Sequence, residues 1–283
     1  MSRSQQWSFI WSDNSCAYDS LYSIILQAIA SSEEEFIHGY RDQLPLLNSL
    51  VELYQNCCSG HDPVEKARDA IRSHLHSIDP IEFPMNTAIG TEINLLCSYM
   101  FGQETDFYHK QYRCRTCDIV QNIYSQANLL YNDMVIVCSP YRWRKQGLMT
   151  GSASNKIPVQ WMRANMKQIT TVMCQSCHIP LVNHIAFTSM PLFFRFKVDG
   201  VNVKWTLQID LQQYQYRLCG FIYYGNNHFT SRIITPDGEV WFNDAIQYGR
   251  AYYFEKKFQD FSTRELSNAP QARKLILAFY IRI

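Results

Sequence analysis

The chain has 283 residues, 47% hydrophobic, 14% aromatic and 18% charged, with 26 Lys and Arg against 25 Asp and Glu and a net charge of +1. Such a composition excludes a disordered chain and leaves core enough for one or two domains. The balanced charge gives no basis for a nucleic-acid or membrane-surface partner, and apolar runs such as 275–281 are too short to span a bilayer.

Residues 1–6 are polar and no apolar stretch follows, so a signal peptide is not expected. There are ten cysteines, and four of them form two C-x-x-C pairs. That pattern favours thiol and metal chemistry in a reducing compartment, cytoplasmic or nuclear, over a disulfide framework.

In chain order, the first informative stretch is Trp11-Ser12-Asp13-Asn14-Ser15-Cys16. After it, Tyr18, Leu21, Tyr22, Ile25 and Ala28 fall on one helical face. Cys16 is therefore expected in the first turn of a helix, where free N–H groups and the positive dipole end favour a thiolate. A small residue packing the helix start explains the same position equally well.

Further helices are expected along the next hundred residues. Ser32-x-x-Glu35 reads as a capping box. Leu46, Leu47, Leu50, Val51 and Tyr54 form a stripe. Asp62-Pro63-x-Glu65 reads as a cap ahead of a face made by Val64, Ile71, Leu75 and Ile78, which Pro80 and Pro84 end. A last helix is expected from about Thr91 to Gly102.

Beyond about Tyr108 the pattern turns to short β-type runs, at 134–137, 159–162 and 170–173, with an exposed loop over 145–156. The C-terminal part predicts strands at 192–198, 205–211, 218–224, 229–234, 240–242 and 275–283, with a turn at Pro236-Asp237-Gly238.

Cys114-x-x-Cys117 and Cys174-x-x-Cys177 are separated by 56 residues. Two such knuckles beside strands fit one tetrahedral Cys₄ site for a structural Zn²⁺, since four protein ligands leave no position open for water. A redox reading does not call for two copies. His109 and His178 flank the pairs and read as surface residues.

Gly225-Asn226-Asn227-His228 precedes one strand, and Trp241-Phe242-Asn243-Asp244 ends the next. A hairpin between them returns Asn243 or Asp244 to the neighbourhood of His228, the base and orienter that a cysteine nucleophile needs. Singly, His228 reads as a sheet-edge histidine and Asn243-Asp244 as turn residues.

Taken in order, these segments resemble the ubiquitin-specific protease family of papain-like cysteine peptidases. Asn14-Ser15-Cys16-Ala17-Tyr18-Asp19-Ser20-Leu21 resembles its Cys box, and residues 91–100 its E-F-L-x-x-L-L helix. The C-x-x-C pairs are placed like its zinc-bearing fingers. Residues 190–196 and 216–222 resemble two of its strands, His228-Phe229-Thr230 its G-H-Y-T, and 275–280 its closing strand.

The resemblance implies a single α+β domain of papain-like type. A helical thumb (about 1–105) carries Cys16, zinc fingers span about 106–190, and a β palm (about 191–283) carries His228. It implies an isopeptidase that cleaves ubiquitin or a ubiquitin-like modifier such as SUMO after its C-terminal glycine.

The chain departs from the family at Trp11, where an oxyanion-donating Asn is usual, leaving Asn14 or a backbone N–H for that role. Asn227 replaces the usual Gly before the histidine. The Cys-Ala-Tyr-Asp run is more like the SUMO-directed branch. Asn243 aligns with the usual orienting position, but Asp244 is preferred, because a carboxylate stabilises an imidazolium better than an amide does. The alternatives are a non-catalytic modifier-binding module of the same fold and an unrelated Cys-His enzyme of transglutaminase type.

Overall fold

The structure is a computed structural model that describes residues 8–32, 44–60, 62–101, 108–117, 120–122, 136–138, 167–187, 192–198, 206–209 and 214–283. The Ser32–Glu35 pattern, the runs at 134–137 and 159–162, the loop at 145–156 and the 190–196 strand motif lie wholly or partly outside these residues. So does the His109 side chain.

Among the described residues four helices come first: α1 (Cys16–Ala30), α2 (Pro45–Gly60), α3 (Glu65–Ile78) and α4 (Ile93–Phe101). The apolar stripe of α1 is only part of what it buries. Ala17, Asp19, Ser20, Ser23, Ile24 and Leu26 are buried as well, so the helix is enclosed on all sides. It packs on the large sheet, and α4 packs on it in turn.

One cap expectation changes. Asp62 does not cap α3; its carboxylate pairs with Lys66 Nζ at 2.6 Å. At the start of α4, Glu92 Oε2 accepts from the Leu95 N–H at 2.7 Å. Ile78, expected on the inner face of α3, is 52% exposed at the end of the helix.

The strands form two sheets. The smaller contains β1 (Tyr108–Arg113), β2 (Val120–Asn122), β4 (Lys167–Met173) and β5 (Pro180–Phe187), in the antiparallel order β2-β1-β5-β4. The larger runs β11-β10-β9-β8-β13-β6-β3. Its members are β3 (Ile136–Cys138), β6 (Phe193–Val198), β8 (Tyr214–Gly225), β9 (His228–Ile234), β10 (Glu239–Asn243), β11 (Tyr253–Lys257) and β13 (Arg273–Arg282). β7 (Thr206–Ile209) pairs with β8, and β12 (Asn268–Ala269) with β13. All described pairings are antiparallel except β3 with β6.

The larger sheet is covered on both faces. Leu277, Phe279 and Ile281 of β13 join the helical core, while Leu275, Ala278 and Tyr280 join a second cluster with Phe221, Tyr223, Val240 and Leu266. From Leu277 on this is the period of two expected of a strand buried on both sides; the irregularity between Leu275 and Leu277 puts Leu275 on the opposite face. Gly220 sets the distance of α1 from the sheet: a Cβ there would lie 2.7 Å from Ile24. The class is α+β, with helices first, antiparallel sheets after them and a four-cysteine cluster at the smaller sheet.

Candidate active site

Cys16 is the first residue of α1 and is buried. The chain reaches it through two left-handed residues, Asp13 (φ 45°) and Asn14 (φ 56°), a conformation that Asp and Asn tolerate better than other side chains. Two arginines of α3 hold this approach. Arg68 Nη2 donates to Ser12 Oγ at 2.6 Å and Nη1 to the Ile10 carbonyl at 2.7 Å. Arg72 Nη2 donates to the Asp13 carbonyl at 2.7 Å.

One turn into α1, Asp19 is enclosed and takes Arg68 Nη1 at 2.8 Å and Ser15 Oγ–H at 2.6 Å. Burial pushes its carboxyl up to about 6 against the opposing pull of Arg68. Asn14 Nδ2 donates to the Thr87 carbonyl at 2.6 Å.

The histidine comes from the β8–β9 hairpin. Asn226 (φ 54°) and Asn227 (φ 55°) are both left-handed, as a two-residue type I′ turn requires, and Gly225 pairs with His228. Asn227 thus takes the conformation that Gly would otherwise supply. His228 is 5% exposed, and its Nε2 lies 2.9 Å from Asp244 Oδ1. A carboxylate only accepts, so Nε2 carries the proton in this pair.

Cys16 is near enough to act on the ring. Burial alone would pull the imidazole down. The hydrogen bond with Asp244, and after it the influence of Cys16, outweigh burial and push His228 up to about 9. Burial likewise opposes ionisation of Asp244, but His228, then the Gln247 N–H and then Arg273 hold it below the usual carboxylate range.

Asn243 and Asp244 do different things. β10 pairs with β9 in the expected hairpin, with Asn243 opposite Ser231. The Asn243 amide donates to the carbonyls of Gly249 (3.0 Å) and Ala251 (2.8 Å), closing the loop beyond. Asp244 lies past the strand end, so strand alternation does not set its direction. It is the N-cap of the short helix α5 (Ala245–Tyr248), accepting from Ile246 N and Gln247 N. Capping aims its carboxylate at His228, and Arg273 Nη1 binds the second oxygen at 2.9 Å.

At the smaller sheet, Cys114, Cys117, Cys174 and Cys177 place their four sulfurs within 4.8 Å of one another, with Cys114 and Cys177 3.3 Å apart. Tetrahedral Zn²⁺ with bonds of about 2.3 Å needs sulfurs about 3.8 Å apart, so the cluster can hold a metal ion such as zinc. The Cys117 N–H donates to Cys114 Sγ at 3.4 Å, and this bond holds the Cys114 thiol down to about 6. His178 (φ 57°) closes the second knuckle through its backbone N–H to the Cys174 carbonyl and is exposed.

Reading the sequence did not single out Arg68, Arg72 and Arg273 or a structural role for Asp19. Arg68 had a visible signal: it falls in the apolar stripe of α3, four residues after Val64 and three before Ile71. A cation at a stripe position asks for a buried partner. Arg273 had none, because it heads a strand whose apolar pattern begins only after it.

No protein-family profile matches the chain, and no curated protein matches it in sequence. Among solved structures it is similar to the SAGA DUB module Ubp8/Sgf11/Sus1/Sgf73 bound to monoubiquitin. It is equally similar to the same module bound to ubiquitin aldehyde. In both, the TM-score is 0.46 and the identity 10%, over 100% of this chain and 71% of the other. That TM-score is below the level at which two chains share a fold by that measure alone. Among the described residues no helix is long and apolar enough to cross a membrane.

Proposed function

We propose that this chain is a cysteine isopeptidase that releases ubiquitin or a ubiquitin-like modifier by cutting after its C-terminal glycine. One observation carries the reading: His228 Nε2 is held by the buried Asp244 carboxylate at 2.9 Å, and Cys16, at a helix start, is near enough to act on the same imidazole. Order along the chain supports it, since nucleophile, paired cysteines, histidine and acid follow the sequence of the family that the motifs resemble.

The chemistry follows from the protonation states. His228, protonated into the alkaline range, is the acid of the pair, and Cys16 attacks as the thiolate, the form in which sulfur is the nucleophile. The thiolate attacks the glycine carbonyl, and the imidazolium gives its proton to the departing lysine amine. The modifier remains as a thioester on Cys16. Neutral His228 then takes a proton from a water molecule, which attacks the thioester and frees the modifier and the thiol. Asp244 keeps the ring oriented and stabilises its charge throughout.

The oxyanion is met by the Cys16 backbone N–H in the first helical turn, where no intrahelical acceptor exists. Asn14 contributes the amide hydrogen that Thr87 does not use. The four cysteines hold a structural Zn²⁺, which ties the two knuckles together and takes no part in the reaction. The thumb, fingers and palm correspond to about 1–105, 106–190 and 191–283. A cytoplasmic or nuclear setting keeps Cys16 reduced.

The test is a panel of probes that carry an electrophile in place of the terminal glycine carboxylate, made from ubiquitin, SUMO and related modifiers. One probe is expected to form a single adduct that maps to Cys16. A folded protein that binds a modifier while no probe labels Cys16 replaces this reading with the non-catalytic binding module.

A further inference from the structure

We infer that Arg273 is a positioning residue for the candidate acid: it clamps Asp244 so that His228 meets a carboxylate oxygen held in one orientation. The inference rests on the Cys16–His228–Asp244 reading and extends it to a residue on the last strand.

Each oxygen of Asp244 has its own role. Oδ1 receives His228 Nε2 and the two N–H groups at the start of α5. Oδ2 receives Arg273 Nη1 at 2.9 Å, with both side chains buried. Without the guanidinium, nothing among the described residues holds Oδ2, and the carboxylate plane is free to tilt about the Cβ–Cγ bond relative to the ring.

The backbone around Arg273 is built at a cost that points to this use. Gln271 (φ 60°) and Ala272 (φ 59°) are consecutive left-handed residues without a glycine, and they turn the chain so that Arg273 enters the sheet beside the hairpin. Gly225, the register partner of His228, lies against Arg273: a Cβ there would be 3.1 Å from the Arg273 Cα and 3.3 Å from its Cγ. Gln271 Oε1 accepts from Arg273 Nη2 at 2.7 Å, and Gln271 Nε2 donates in turn to Gln247 of α5.

Meanwhile Arg273 Nε is buried with no hydrogen-bond partner among the described residues. A guanidinium kept only to tie strands together would not be expected to leave a buried donor open while aiming two others. The aim is at Asp244 and at the glutamine that bridges to its helix.

The titratable and charged groups around the carboxylate are His228 on β9, Arg273 on β13 and, beyond the ring, Cys16 on α1. Removing the guanidinium takes a positive charge from this set and frees Asp244 to turn from His228. Both effects make the Cys16 thiolate form at higher pH.

The experiment measures alkylation of Cys16 by iodoacetamide from about pH 4 to about pH 10, in the wild type and in Arg273→Ala, Arg273→Gln and Arg273→Lys, reading the thiolate directly. Melting curves report folding in parallel. The midpoint of the rise in rate is expected to move up by about 1 pH in the Ala and Gln variants. Lys is expected to return most of the shift, since it restores the charge. Gln271→Ala, which loosens the guanidinium without touching Asp244, is expected to give a smaller shift in the same direction.

A wild-type midpoint in the Ala and Gln variants overturns the inference and leaves Arg273 a strand tie. Should neither Arg273 variant fold, an unmoved midpoint in Gln271→Ala overturns it alike. If wild-type Cys16 reacts no faster than an ordinary cysteine at mildly acidic pH, the proposed function itself fails, a distinct outcome.

Discussion

The two cysteine sites of this molecule are held in opposite ways. Among the described residues, the cluster of Cys114, Cys117, Cys174 and Cys177 packs with one further buried apolar side chain, Leu181. Cys16 begins a helix that is buried on every side between the other helices and the large sheet. One set of sulfurs is arranged so that an ion could join it, whereas the other is positioned by packing and buried ion pairs. Where such a cluster holds an ion, the ion adds to the order of its sheet, while a site on the central helix inherits the rigidity of the domain.

The sharpest test of this contrast is Cys16→Ser. Turnover of a modifier–fluorophore substrate is expected to fall by more than about 10⁴-fold, with binding and melting unchanged. Next comes the Asn243-Asp244 pair. Asp244→Ala is expected to lower turnover by about 10³–10⁴-fold. Asn243→Ala instead removes the donor to two carbonyls and is expected to cost about 1–3 kcal/mol of stability with a far smaller effect on turnover. If Asn243→Ala proves worse in turnover, the amide is the orienter and the assignment to Asp244 is wrong.

Arg68→Met tests whether packing and ion pairs hold the nucleophile. It strands the buried Asp19 carboxyl, and a loss of about 3–5 kcal/mol in denaturant unfolding is expected. A neutral result would mean that Asp19 is protonated in the native protein and needs no partner.

Metal removal addresses the other half of the comparison. Freshly purified protein is expected to hold about one zinc per chain, and Cys114→Ser or Cys174→Ser to lower both zinc content and melting temperature. After chelation, amide exchange should rise in β1, β4 and β5 but not in α1, β8 or β13, and Cys16 should still react rapidly with iodoacetamide. Loss of Cys16 reactivity on chelation would break the contrast and make the two sites one cooperative unit.

The smallest expected effect is on pH dependence. Folded His228 titrates at about 9, above the ordinary histidine value of 6.5. The folded state therefore binds this proton more tightly than the unfolded chain. The stability it contributes is complete below about 6.5 and lost as the pH rises through about 9. Melting temperature should fall across that window by a few degrees, and His228→Ala should flatten the slope. An equal slope in the variant would assign the effect to another group.

What the sequence determined by itself was local. The helix start at Cys16, the stripes of α2 and α3, the paired C-x-x-C knuckles and the hairpin that follows His228 all show as spacings of a few residues. Helices, strands and knuckles repeat on that scale, so their patterns survive in a linear string. The tertiary structure decided which residues meet. Arg68 reaches Asp19 across 49 positions, and Arg273 reaches Asp244 across 29. Such contacts have no period and leave no trace in spacing.

The division of labour between Asn243 and Asp244 was also beyond the sequence. Both are polar residues at a strand end, and only the short helix that Asp244 caps aims its carboxylate at His228. The encirclement of α1 was hidden for a related reason. A stripe reports the face toward one neighbour, and this helix has neighbours on every side, so small and polar residues such as Ser20 and Ser23 are buried where no apolar pattern predicts it.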